Sequence, residues 1–251
     1  MSRTVNPQSW RAALRLLRRT VVLALVGLAG VAQAASVSFN DLAMDGIFSQ
    51  ASFGSHPIDI RFNPSLSVVA PTLQSIDSNA EFDGVSNSLM ALVGQLAIPV
   101  NTVSIFFVDA IKYCGGPGTN IIGCGSQPGH LIALDSSAAA GAHGAALMAH
   151  ELGHNLGLGH LAGDSNLMNG SITGNTTLTA SQIGTFLNLS TGASLNPIVQ
   201  KDGAGLYISI TPIAVMAVAA PVPEPQTWAM FALGLASVAG LARRRRAWTA
   251  R

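Results

Sequence analysis

The sequence predicts an α+β domain: several short strands, one long helix carrying the reactive side chains, and a further helix near the C-terminal end. Short β-branched or alternating segments precede an alanine-rich stretch at helical spacing. Histidines crowd the end of that stretch, and a second helical start signal follows it.

Taken in order, Ile58–Phe62 alternates apolar and polar residues and reads as a strand. Over residues 82–96, Val85, Leu89, Leu92, Val93 and Leu96 recur at helical spacing. Residues 103–108 are β-branched, aromatic and free of basic side chains, as a buried strand requires. A Gly/Pro-rich loop separates Cys114 from Cys124, and residues 131–134 form another short strand. The long helix runs from about 139 to 156. A last helix is expected over residues 181–189, where Thr179 and Gln182 have the spacing of a capping box. Residues 206–210 read as one more strand, and residues 212–221 as an apolar linker. No internal repeat is visible.

Both ends are set aside before composition is read. Residues 1–34 carry four arginines between 11 and 19, an apolar run from 21 to 31, and Ala32-Gln33-Ala34 as a cleavage site. That is the layout of a secretory signal peptide removed by signal peptidase, with cleavage after Ala34 or Ala35. At the other end, Val222-Pro223-Glu224-Pro225 precedes an apolar run over residues 227–242 and then Arg243 to Arg246. These three parts, within residues 223–246, resemble the PEP-CTERM sorting signal of Gram-negative bacteria. The resemblance implies a transmembrane run whose arginines stay cytoplasmic, and cutting by an exosortase-type enzyme. A permanent membrane anchor is the alternative. The chain thus divides into signal peptide (1–34), main domain (35–200), strand and linker (201–222) and sorting segment (223–246).

The formal charge of +1 is carried by the ends. Between them lie Arg61, Lys112 and Lys201 against eleven acidic side chains, a net charge of −8. An acidic exported domain is a poor partner for nucleic acid or an anionic membrane surface. Membrane contact is expected only through the sorting segment.

Residues 150–160 read His-Glu-Leu-Gly-His-Asn-Leu-Gly-Leu-Gly-His. Residues four apart share a helix face, so His150 and His154 present two imidazoles together. Gly157 can take the left-handed conformation that ends a helix and returns the chain, bringing His160 back as a third ligand. A fourth position stays open for water, as a catalytic zinc site needs. Glu151 is placed to take a proton from that water.

This is the long zinc-binding signature of the metzincin metallopeptidases, and Ser165-Asn166-Leu167-Met168-Asn169-Gly170 resembles their Met-turn. The resemblance covers residues 55–190. It implies a metzincin-like zincin catalytic domain, a twisted mixed β-sheet with an active-site helix and a C-terminal helix, with one Zn²⁺ held by His150, His154 and His160. Met168 would lie beneath the metal, Gly157 would support the turn, and Glu151 would be the general base. Two features depart from the pattern: Gly170 stands where some metzincins carry a tyrosine, and the proline of the matrix-type turn is missing. His56, His130 and His143 lack ligand spacing.

Export places Cys114 and Cys124 in an oxidising compartment, where a disulfide between them is expected. Cys114 as a latency ligand to zinc, which some metzincins use in a propeptide, is the alternative. The expected function is an exported zinc-dependent endopeptidase acting on protein or peptide substrates. A surface- or matrix-associated binding protein with little proteolysis is the other reading. Either would act at the cell surface, in the extracellular matrix or as a secreted protein.

Overall fold

The computed structural model describes residues 41–163 and 165–217. The expected signal peptide and sorting segment lie outside the described residues. The strands are β1 (Ile58–Phe62), β2 (Leu66–Val69), β3 (Ser75–Ile76), β4 (Thr102–Val108), β5 (Ala110–Tyr113), β6 (Pro117–Ile121), β7 (Gly123–Gly125), β8 (Leu131–Asp135), β9 (Leu187–Asn188), β10 (Ala193–Ser194), β11 (Gln200–Lys201) and β12 (Leu206–Met216). The helices are α1 (Asp41–Phe48), α2 (Asn79–Asp83), α3 (Leu89–Gln95), α4 (Ser136–Ala139), α5 (Gly144–Asn155) and α6 (Ala180–Ile183).

The main sheet runs β1-β12-β4-β8-β7. β1, β12, β4 and β8 are parallel, and β7 closes the edge antiparallel to β8. β2 and β11 also pair with β12, while β3, β5 and β6 form a small separate sheet. Period-two alternation divides the core. Val103, Ile105, Phe107, Ile132 and Leu134 face α1 and α5, with Met44, Phe48, Leu147 and Leu152. Phe106, Val108, Leu131, Ala133 and Ile213 face α2 and α3, with Phe82, Leu89 and Val93. Every residue of β4 is buried, as its uncharged β-branched sequence predicts.

Several expectations are corrected. The helix expected over 82–96 is two helices, because Gly84 ends α2 and the Ser88 side chain caps α3 by accepting from the Ala91 N–H. Val85 falls between them and is fully exposed. The long helix starts at Gly144 rather than 139. α4 precedes it, and a Cβ at Gly144 would overlap the Ala139 carbonyl. The last helix is one turn long, with the expected Thr179–Gln182 capping box, and the chain then enters the β9–β10 hairpin. The loop between the cysteines is largely strand, β6 with part of β7.

The largest difference is at residues 212–216, expected as linker. They continue β12 through the middle of the sheet. A proline inside a central strand normally breaks a ladder bond. Here the Asn63 N–H donates to the Ile210 carbonyl and the Ala70 N–H to the Met216 carbonyl, so even-numbered residues of β12 point toward β1 and β2. Pro212 lies on that side at the break between β1, paired through Ile210, and β2, paired from Ile213. No strand partner is there to miss its N–H.

Candidate metal centre

Helix α5 carries Ala, Leu, Met or Glu, strong helix formers, at seven of its twelve positions and buries most of its length. It ends in a Schellman arrangement: the Gly157 N–H donates to the His154 carbonyl and the Leu158 N–H to the Gly153 carbonyl. Gly157 has φ +95°, a conformation that a side chain would oppose. The chain thereby reverses and returns His160 to α5. Nε2 of His160 lies 3.3 Å from Nε2 of His150 and 3.2 Å from Nε2 of His154.

Those separations fit a shared cation. A tetrahedral ion held at about 2.0–2.1 Å from each nitrogen requires N···N distances of about 3.3–3.4 Å. The tautomers fit as well. Nδ1 of His150 donates to the Leu167 carbonyl at 2.7 Å, and Nδ1 of His154 to the Leu158 carbonyl at 2.8 Å. With the protons committed there, both Nε2 lone pairs face the common centre. Burial pushes the His150 imidazolium pKa down to about 4, opposed by the Leu167 carbonyl, and burial also lowers that of His154. Neutral imidazoles are the metal-binding form. His150, His154 and His160 could therefore hold a metal ion.

Met168 is fully buried, and its Sδ occupies the space that a Cβ at Gly153 would need. Gly153 thus lets the methionine pack directly on the helix turn between the first two histidines. Asn166 shapes the turn. Its Oδ1 accepts from the Met168 N–H at 2.9 Å, and its side-chain amide exchanges two hydrogen bonds with Gln182 of α6. The Leu161 N–H donates to the Met168 carbonyl, joining the turn to the segment after His160.

Glu151 is buried at 5 % exposure, on the side of α5 that meets β7. A Cβ at Gly123 would overlap its Oε1, and one at Gly125 would lie 2.6 Å from its carbonyl oxygen and 3.2 Å from Oε2. Burial pushes the Glu151 carboxyl pKa up to about 8, opposed by a hydrogen bond from the Gly125 backbone. Sequence reasoning missed Gly123, Gly125, Gly153, Asn166 and the second role of Gln182. The signal was present for the first two, since isolated glycines in strand context mark close approach of another group.

Cys114 and Cys124 form the expected disulfide. His56, His130 and His143 stand outside the three-histidine cluster. His56 borders a concavity with Asp45, Asp59 and Lys201, and His130 borders another with Val100, Leu156 and Asn196. His143 lies against Gly174.

Residues 221–246 match the PEP-CTERM protein-sorting motif. Comparison of the chain with curated proteins and with solved structures gives no match. Among the described residues no helix is long and apolar enough to cross a membrane, and the apolar run over 227–242 lies outside them. The sorting motif marks the protein for export to the surface or extracellular space of a Gram-negative bacterium, with processing by an exosortase-type enzyme.

Proposed function

We propose that this protein is an exported zinc-dependent endopeptidase of metzincin type. The reading is carried by three imidazole Nε2 atoms that converge with 3.2–3.3 Å spacing while two of the rings are fixed through Nδ1. His150, His154 and His160 would hold the ion. Zinc, when bound, lowers the pKa of a coordinated water toward neutrality and polarises a carbonyl.

This chain's own residues supply the rest. Leu167 and Leu158, through their carbonyls, fix the ring orientation of two ligands. Met168 and Gly153 form a close apolar floor behind them. Glu151 accepts the water's proton at its carboxylate and returns a proton to the leaving amine. The Glu151 carboxyl, held protonated by burial in the metal-free protein, would ionise if a divalent cation were bound by the histidines.

The processed protein, incubated with casein with and without a chelator, tests the proposal. Hydrolysis that the chelator abolishes and zinc restores is expected. A protein that binds zinc yet leaves casein and peptide libraries intact would be a binding module instead. Mass spectrometry of the exported product should give an N-terminus at Ala35 or Ser36 and a C-terminus near 223–225. Peptides from 228–243 in that product would indicate a permanent anchor.

A further inference from the structure

We infer that the Cys114–Cys124 disulfide positions Glu151 through the glycine-flanked strand β7, so that the site gains its ordered proton acceptor only after oxidation outside the cytoplasm. The inference rests on the proposed peptidase reading for the role of Glu151.

β7 reads Gly-Cys-Gly, and side chains alternate along a strand. Its register with β8 sets Gly123 opposite Leu134 and Gly125 opposite Ile132, on the face that packs against α5. Cys124 pairs with Ala133 on the opposite face and is 3 % exposed. The two glycines leave room for the glutamate: a Cβ at Gly123 would meet Cδ of Glu151 at 2.8 Å as well as Oε1. A Cβ at Gly125 would likewise come within 3.2 Å of Oε2, so the bare backbone of β7 lies directly against the carboxyl group.

A strand of this composition has one side chain with which to hold itself in place. Glycines bury no side chain on the α5 face, and β7 is an edge strand whose ladder partner is β8. The disulfide is therefore its covalent anchor. It runs from Cys124 to Cys114, the residue after β5, and so joins the main sheet to the small β3-β5-β6 sheet. The histidines are placed independently, by α5 and the returning chain. Losing the disulfide would loosen the glutamate's support while sparing the metal ligands.

The step balances as thiol–disulfide exchange. Cys114 and Cys124 thiols give up two electrons and two protons to the disulfide of an oxidised dithiol protein, which becomes two thiols as the S–S bond forms. Such donors belong to the oxidising compartment that the sorting signal implies. Before export the metal ligands would be present and the base unordered, a latency that needs no propeptide.

The test compares three forms of the processed protein: oxidised wild type, a Cys114→Ser/Cys124→Ala double variant, and Gly123→Ala with its disulfide intact. Metal content, amide exchange over residues 122–126 in the metal-free protein, and kcat and KM on casein peptides are measured where all three remain folded. Zinc content should match in all three. The double variant should exchange these amides at least tenfold faster and lose at least tenfold in kcat with little change in KM. Gly123→Ala should lose kcat comparably while its amides stay slow, because its added methyl displaces the carboxylate directly. Loss of a purely stabilising disulfide would lower the melting temperature without this kcat and KM pattern, and that result overturns the inference. Unchanged exchange in the double variant, or full kcat in Gly123→Ala, overturns the inference. If wild type is inactive, the peptidase reading fails by itself and the exchange measurement still decides whether the disulfide holds β7. If the double variant fails to fold, folded wild type reduced with dithiothreitol and alkylated at both thiols takes its place, with the same exchange and kcat readouts deciding.

Discussion

Residues 150–168 and residues 123–125 both shape the candidate centre, and they do so by different rules. In the first, contacts are short in sequence: the helix repeat stacks His150 on His154, Gly157 reverses the chain, and Asn166 folds the turn around Met168. In the second, Gly123 and Gly125 reach Glu151 only because β7 pairs with β8 and β8 lies beside α5. Ligand placement is thus local, whereas the surroundings of the carboxylate are a property of the sheet. Changes in the first segment should act on the metal, and changes near the second should act on the glutamate.

The sharpest break is His160→Ala. Elemental analysis after dialysis should find zinc reduced from one ion per chain to a small fraction, and undiminished zinc would refute the three-histidine site. Glu151→Ala comes next: it should keep the metal and the fold yet lose about 10²–10⁴-fold in peptide hydrolysis, the usual contribution of a general acid–base group. A rate within a factor of two of wild type would remove Glu151 from the mechanism.

The pH dependence of the metal-free protein probes the same burial. The folded Glu151 carboxyl has a pKa of about 8 against an ordinary 4.5, so its stabilising contribution is full below pH 4.5 and is lost as pH rises through 8. His150, lowered to about 4, and His154 and His130, also lowered by burial, act in the opposite direction, their contributions being lost as pH falls through the ordinary 6.5 and below. Urea titrations between about pH 7.5 and 8.5, where histidines are neutral in both states, therefore read the glutamate: wild type should lose stability with rising pH, and Glu151→Gln should flatten that slope. Equal slopes would contradict a buried, protonated carboxyl.

Smaller effects sharpen the local half. Gly157→Ala places a Cβ at φ +95° and should destabilise by about 1–2 kcal/mol in denaturant, with weaker zinc retention because His160 follows the turn. Met168→Leu conserves apolar volume and should cost less than about 1.5 kcal/mol with zinc stoichiometry unchanged. A larger loss of metal would mean that the sulfur does more than fill space.

The legible parts were those with a short-range cause. Gly157 as the helix terminator, the Thr179–Gln182 capping box and the buried run of β4 were readable because each rests on backbone preferences within a few residues. The pairing of Cys114 with Cys124 was readable from the export signal and the compartment it implies. The split between α2 and α3 was harder, since the periodicity of Val85 with Leu89 continued across Gly84 and Ser88. Gly153 sat in plain view inside the motif, but nothing near it announced that Met168 would take the place of its side chain.

By itself the sequence determined the three histidines on a helix and its return, the adjacent glutamate, and the sorting motif at the end of the chain. Those features depend on spacing along one chain segment. Only the tertiary structure decided that residues 212–216 complete the central strand, that Pro212 is harmless there, and that β7 packs against Glu151. A proline or a glycine in a strand has no fixed meaning until its neighbour is known. For Pro212 the neighbouring ladder is broken where its N–H is missing. For Gly123 and Gly125 the neighbour is a buried carboxylate that needs the space a side chain would have filled.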